Sequence, residues 1–140
     1  MKTSKLQNTL LAALFLILGL ISNLTAQANS ISDITKNVYA LDNLKSGINS
    51  ENTGVRKCSI YFAGKYKIRE VVSTLIERLE KENEPSVRLL IAYSLYEIKE
   101  DEGMKAVNQL SLKDKNSQVK RMSYNLYKEY VDNLNRTAAL

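Results

Sequence analysis

The sequence predicts an all-α fold of stacked helical hairpins, and three observations predict it. A short feature, Val-Arg or Val-Lys followed by an apolar run, recurs at Val55-Arg56, Val87-Arg88 and Val119-Lys120, in two steps of 32 residues. Self-similarity at such a period marks an array of supersecondary units. From each valine, offsets 0, 3, 4, 7, 8 and 11 trace one helical stripe, predicted to be buried. An amphipathic segment precedes each valine across a polar loop. A helix-loop-helix unit of this kind cannot bury its apolar face alone and must stack on neighbours.

Taken in order, the first stripe is Val55, Cys58, Ser59, Phe62, Ala63 and Tyr66. The second is Val87, Leu90, Ile91, Ser94, Leu95 and Ile98, and the third Val119, Met122, Ser123, Leu126, Tyr127 and Tyr130. Serines in these stripes let neighbouring helices approach. The preceding segments carry Val38, Leu41, Leu44 and Ile48; then Val71, Val72, Leu75, Ile76 and Leu79; then Met104, Val107, Leu110 and Leu112. The loops are Asn49 to Gly54, Lys81 to Glu84 and Lys113 to Ser117, and Pro85 suits the first turn of a helix. Helices are expected over about 32–48, 54–65, 68–81, 86–99, 102–111 and 117–133. Ser32 or Asp33 would cap the first, and Asn133 to Leu140 would fray.

Glu84-Pro85-Ser86-Val87-Arg88, with Ala92 and Leu95 inside the helix that follows, resembles a HEAT-type repeat. The resemblance covers roughly Lys36 to Val131; the first repeat lacks the proline, and the third has Lys120 for arginine and the bulky Tyr127. It implies a right-handed α/α superhelix of about three HEAT-like hairpins acting by surface recognition, not by a reaction. It also implies that an acid and the following base link neighbouring repeats, which assigns Arg88 and Lys120 to a ladder with Glu82 and Asp114. Ser50 stands where the first repeat would have its acid, so Arg56 is expected to be freer.

The N-terminus reads differently. Lys2 and Lys5 precede the apolar run Leu10 to Ser22, and Ala26-Gln27-Ala28 supplies small residues at a cleavage site. This predicts a signal peptide, residues 1–28, and an exported repeat domain, residues 29–140, periplasmic or secreted. The alternative is an anchor retained through residues 10–24, although a membrane span needs about 20 apolar residues. Cleavage removes two of the 20 Lys and Arg against 15 Asp and Glu, leaving +3, too mild and too interspersed for nucleic acid.

No chemistry is expected. There is no His, which removes His-based nucleophile pairs and His metal ligands. The five glycines form no phosphate loop, and no cofactor or small-molecule substrate is indicated. The carboxylates Glu80, Glu82 and Glu84, and Glu97, Glu100, Asp101 and Glu102, read as solvated loops interleaved with Lys81 and Lys99. Cys58, the single cysteine, reads as a small buried hydrophobe. The Asn135-Arg136-Thr137 sequon falls on the expected frayed tail.

The candidate site is the opposite face of the second helices, at offsets 2, 5, 6 and 9: Lys57, Ile60, Tyr61, Gly64; Leu89, Ala92, Tyr93, Tyr96; Arg121, Tyr124, Asn125, Lys128. This face carries four tyrosines, flanking cations and no acid. Lys57, Tyr61, Leu89, Tyr93, Tyr96, Arg121 and Tyr124 are the expected partner-binding residues, since Tyr and Arg offer apolar area with a polar handle. The function expected is a non-enzymatic interaction module or scaffold for a protein partner, through the concave face of the stack. An accessory subunit of an enzyme complex is the alternative, and the N-terminal segment or a second copy (a homodimer) would be the alternative cover for this face.

Overall fold

The computed structural model of the protein describes residues 38–138. The signal-peptide reading, the caps Ser32 and Asp33 and the start of the first helix lie outside the described residues. Among the described residues the fold is all-α, without strands: α1 (Val38–Ile48), α2 (Thr53–Lys65), a 3-10 turn (Arg69–Val71), α3 (Val72–Lys81), α4 (Pro85–Ile98), α5 (Asp101–Lys113) and α6 (Ser117–Ala138).

The three loops inside the hairpins are built alike, 32 residues apart. The side chains of Ser50, Glu82 and Asp114 each accept the backbone N–H two residues on, at 3.2, 2.9 and 2.7 Å. The next helix then starts at Asn52, Glu84 or Asn116. Asn52 Oδ1 accepts from the N–H groups of Gly54 and Val55, and Asn116 Oδ1 from those of Gln118 and Val119. These side chains satisfy donors that the first helical turn leaves unpaired. The far ends repeat too: Lys67 and Lys99 both take positive φ, 51° and 62°, after α2 and α4. A non-glycine residue there turns the chain sharply out of the helix. One period on stands Val131, whose branched Cβ disfavours that conformation. Accordingly α6 runs on to Ala138 rather than fraying from Asn133.

Packing follows the hairpins. α1 packs on α2, α3 on α4 and α5 on α6, while α2 packs on α4 and α4 on α6; α3 also contacts α1 and α5. The core holds Ile48, Val71, Leu75, Val87, Ile91, Leu95, Met104 and Val107. At the α2/α4 joint Ser94 Oγ donates to the Ile60 carbonyl at 2.9 Å, and a Cβ on Gly64 would lie 2.7 Å from Ser94 Cα. Only glycine allows this approach.

Arginines cross from one repeat to the next. Arg88 grips Asp114 bidentately, Nε to Oδ2 at 2.6 Å and Nη2 to Oδ1 at 2.8 Å, and donates Nη1 to the Asn83 carbonyl of its own loop. One period earlier Arg56 donates to the Ser50 carbonyl at 2.6 Å and sets Nε 3.0 Å from Glu82 Oε2. That N–H points off the hydrogen-bond line, so the first joint is a looser pair. Burial raises the Glu82 carboxyl, but the Glu84 N–H, then Arg78 and Arg56, more than reverse this and leave it below its ordinary value. Asp114 is likewise raised by burial and carried below its ordinary value by Arg88 and the Asn116 N–H. Arg88 is raised, first by its hydrogen bond to Asp114.

Several expectations are corrected. Arg56 is buried and paired, because its acid comes from the following loop. For the same reason Arg88 pairs forward with Asp114 and meets Glu82 only through its carbonyl. Lys120 stands at the end of the ladder and is exposed. Glu82 is buried rather than solvated. Leu112 is exposed and Ser111 takes the inward position, one residue earlier on α5. On α2 the expected stripe is outside: Val55 is 47% exposed, Phe62 45% and Tyr66 39%, and Cys58 is exposed with them. Ala63 of that stripe is buried as expected, and Arg56, Ile60 and Gly64 face inward in place of the rest. Among the described residues no earlier second helix covers the Val55 side. Met122 on α6 is also exposed. Offset 3 lies at the rim of the packing in all three helices.

Candidate protein-binding surface

Each tyrosine on the expected face is placed by where its helix sits in the stack. Offset 6 points outward at both Tyr61 and Tyr93, each 47% exposed. Offset 5 points into the next repeat, so Ile60 and Ala92 are fully buried. Gly64 at offset 9 is buried as well, under Ser94. Ile60 and Ala92 therefore leave the candidate surface. Tyr124 also stands at offset 5, and it is exposed because α6 has no following helix among the described residues. Tyr124 therefore lies on the outer side of α6, apart from the offset-6 row.

Tyr61 and Tyr93 share a groove of about 180 Å³ over the α2/α4 joint, with Gly64 and Ser94 among its lining and Lys65 and Glu97 beside them. The two small residues that bring the helices together leave a low floor, and the two rings form walls. Lys65 and Glu97 are one period apart and bring opposite charges to the groove. Lys65 Nζ lies 5.6 Å from the Tyr61 ring centroid and 5.5 Å from that of Tyr66. Such a cation over an aromatic face is held by the ring quadrupole.

Acids are part of this face, contrary to the sequence reading. Glu97 accepts from the Tyr93 hydroxyl and raises its pKa. Tyr96 is half-buried, its ring 6.5 Å from that of Tyr93, and burial followed by a hydrogen bond to Glu129 of α6 raises it. Neither acid falls on the four offsets that defined the face: Glu97 sits at offset 10, one residue past the last of them, and Glu129 at the same offset of the next repeat. Leu89 is half-buried. Lys57 is tied to Glu84 at 2.8 Å, and that pair lowers the Glu84 carboxyl. Arg121 is exposed on α6. The fold thus gathers Tyr61, Tyr93 and Tyr96 along the α2/α4 side and leaves Arg121 and Tyr124 on α6.

A larger cleft, about 630 Å³, lies between the first helices α3 and α5 and went unread in the sequence. Ile76, Leu79, Ala106 and Leu110 give it apolar lining, and Glu80, Glu102, Lys105 and Lys113 surround them. Its legible trace is Ala106, a small residue on the α5 face turned toward α3. Among the described residues no three His, Cys, Asp or Glu side chains converge to hold a metal, and no helix is long and apolar enough to cross a membrane. In comparisons with known proteins, no family model, no curated protein and no solved structure matches this chain.

Proposed function

We propose that the protein is a non-enzymatic interaction module: an exported right-handed superhelix of three HEAT-like hairpins that holds a protein segment across its tyrosine face. The observation that carries this reading is the pair Tyr61 and Tyr93, half-exposed on either side of one groove with Lys65 and Glu97 beside them. Side chains on a merely solvated face would be charged and mobile. Here two large rings stand over a joint fixed by Gly64 and Ser94, so their positions are set before a partner arrives. Preorganised aromatic anchors of this kind concentrate binding energy. The paired charges favour an amphipathic segment carrying both signs over a purely acidic one.

The test is a paired measurement on Tyr93→Ala. A partner recovered with the wild-type chain is expected to bind about tenfold or more weakly to the variant. Thermal stability is expected to change by only about 0.5 kcal/mol, because the ring is half in solvent. Unchanged partner affinity would end this reading of the groove. The mass of the chain recovered from cells tests export separately: a start at Asn29 supports cleavage, and a start at Met1 removes it.

A further inference from the structure

We propose that the outer face of α2 is a contact between two copies of this chain, packed as antiparallel helices about a two-fold axis at Cys58. The argument begins with the repeat. Offsets 0, 7 and 11 are Val87, Ser94 and Ile98 on α4, all buried, and Val119, Leu126 and Tyr130 on α6, buried or half-buried. The same offsets on α2 are Val55, Phe62 and Tyr66, and all three are exposed, with Cys58 among them. α2 therefore presents a helix-binding stripe at the place where each later second helix receives its neighbour. The stripe is ordered within itself: the Phe62 and Tyr66 rings stack at 5.8 Å with 5° between their planes.

Charge and shape choose the occupant. A head-to-tail copy would bring the far side of α6, with Lys120, Tyr124 and Lys128 exposed, against α2, whose thirteen residues contain no carboxylate. Ser50 replaces the acid that Lys120 would need, so the ladder cannot continue between copies. A two-fold pairing is self-complementary instead. With the axis at Cys58, Lys65 of one copy faces Glu51 of the other, seven residues to either side, and this happens twice. The two Lys65 ammonium groups are held about 20 Å apart, fourteen residues of helix rise. Phe62 falls opposite Gly54, which has no side chain to displace, and Val55 falls opposite Tyr61. Both Glu51 and Lys65 are exposed, and among the described residues neither is in an ion pair. An isologous contact of this type closes at two copies and does not grow into fibres. One short helix face supports a weak, reversible dimer, below the usual size of a stable interface.

This contact shares Tyr61 and Lys65 with the tyrosine groove, and the two readings are told apart by residues that belong to one alone: Tyr93→Ala reads the groove, Phe62→Glu the contact. The experiment is sedimentation equilibrium of the full purified chain over a concentration series, with short bismaleimide cross-linking through Cys58. The expected result is a reversible dimer that cross-links through Cys58. Phe62→Glu, or Val55→Glu as a second variant, weakens it about tenfold or more with the melting temperature kept. Glu51→Lys and Lys65→Glu each weaken it about threefold or more, and the double variant regains affinity. The proposal is overturned by a monomer at every concentration, by a dimer indifferent to Phe62→Glu and Val55→Glu, by failure of the double reversal to restore, or by oligomers that keep growing. A monomer whose Cys58 resists a thiol reagent would mean that another part of the chain covers the face, which also overturns it.

Discussion

α2 and α4 carry the same pattern and bury different halves of it. α4 is packed on both sides, and offsets 0, 1, 4, 5, 7, 8 and 11 are all buried, from Val87 to Ile98. α2 buries offsets 1, 5, 8 and 9 only, the side turned toward the following repeat. α6 buries offsets 0, 4 and 11, Val119, Ser123 and Tyr130, the side turned toward the preceding one. Laid over one another, the two terminal helices nearly reproduce the middle one. A repeat pattern thus specifies what a helix can bury, and position in the stack decides which part of it is used.

The largest effect should come from the middle joint. Arg88 and Asp114 are 6% and 4% exposed as side chains, and Asp114 also accepts the Asn116 N–H. Asp114→Ala strands a buried guanidinium, for an expected loss of about 3–5 kcal/mol in chemical unfolding. That is a large share of the stability of any small domain. A loss no larger than about 1 kcal/mol would make the pair behave as an exposed one and void the distinction between joint and rim. The two arginine joints together predict acid lability. Glu82 and Asp114 are held below their ordinary values in the folded state. Their contribution is present above the unfolded carboxylate range, about pH 4, and is lost as pH falls through the lower folded values. Melting temperature should drop below about pH 4, and Glu82→Gln with Asp114→Asn should flatten the drop.

The comparison sharpens with one large side chain from each region. Leu95 on α4 is fully buried, and its Cδ2 would lie 3.1 Å from a Cβ on Gly103 of α5. Leu95→Ala is expected to cost about 2–5 kcal/mol through lost burial and a residual cavity. Phe62→Ala on α2 should cost about 0.5 kcal/mol at concentrations where the chain is monomeric. Equal losses in urea titrations would mean that the α2 face is covered and that α2 and α4 do not differ.

How much of this was legible depends on the neighbour each residue needs. Helices, loops and the 32-residue period are local, and among the described residues the sequence reading places them within a few residues, the C-terminal extension of α6 apart. Burial on α4 was legible because a helix packed on both sides uses all of its stripe except Leu90 at the rim. Val55, Cys58 and Phe62 were misplaced because among the described residues no earlier second helix covers that side of α2. The ladder was read as linking neighbouring repeats through the acid that precedes each base, whereas Arg56–Glu82 and Arg88–Asp114 each span 26 residues into the next loop. The tyrosine row at Tyr61 and Tyr93 was visible as spacing. Its acids were not, since the Tyr96 partner Glu129 is brought in by tertiary packing alone.

The smallest effect separates two tyrosines at one offset. Tyr66 and Tyr130 both stand at offset 11, but Tyr66 is exposed on α2 while Tyr130 is 9% exposed on α6. The Tyr130 hydroxyl donates to Asp101 Oδ1 at 2.7 Å, at the start of α5. That hydrogen bond, with burial second, pushes its pKa up to about 12. The unfolded chain ionises near pH 10, so it loses this proton first as pH rises. The raised group therefore contributes stability that is complete below about pH 10 and is lost as pH climbs toward its folded value. Tyr130→Phe should remove about 0.5–1.5 kcal/mol at neutral pH, the worth of one hydrogen bond. It should also make the alkaline decline shallower, though not level, since Tyr93 and Tyr96 are raised as well. Tyr66→Phe should leave the neutral stability near wild type. If Tyr66→Phe costs as much as Tyr130→Phe in chemical unfolding at neutral pH, the hydroxyl at offset 11 is in the same surroundings beside α2 and on α6, and the two regions do not differ.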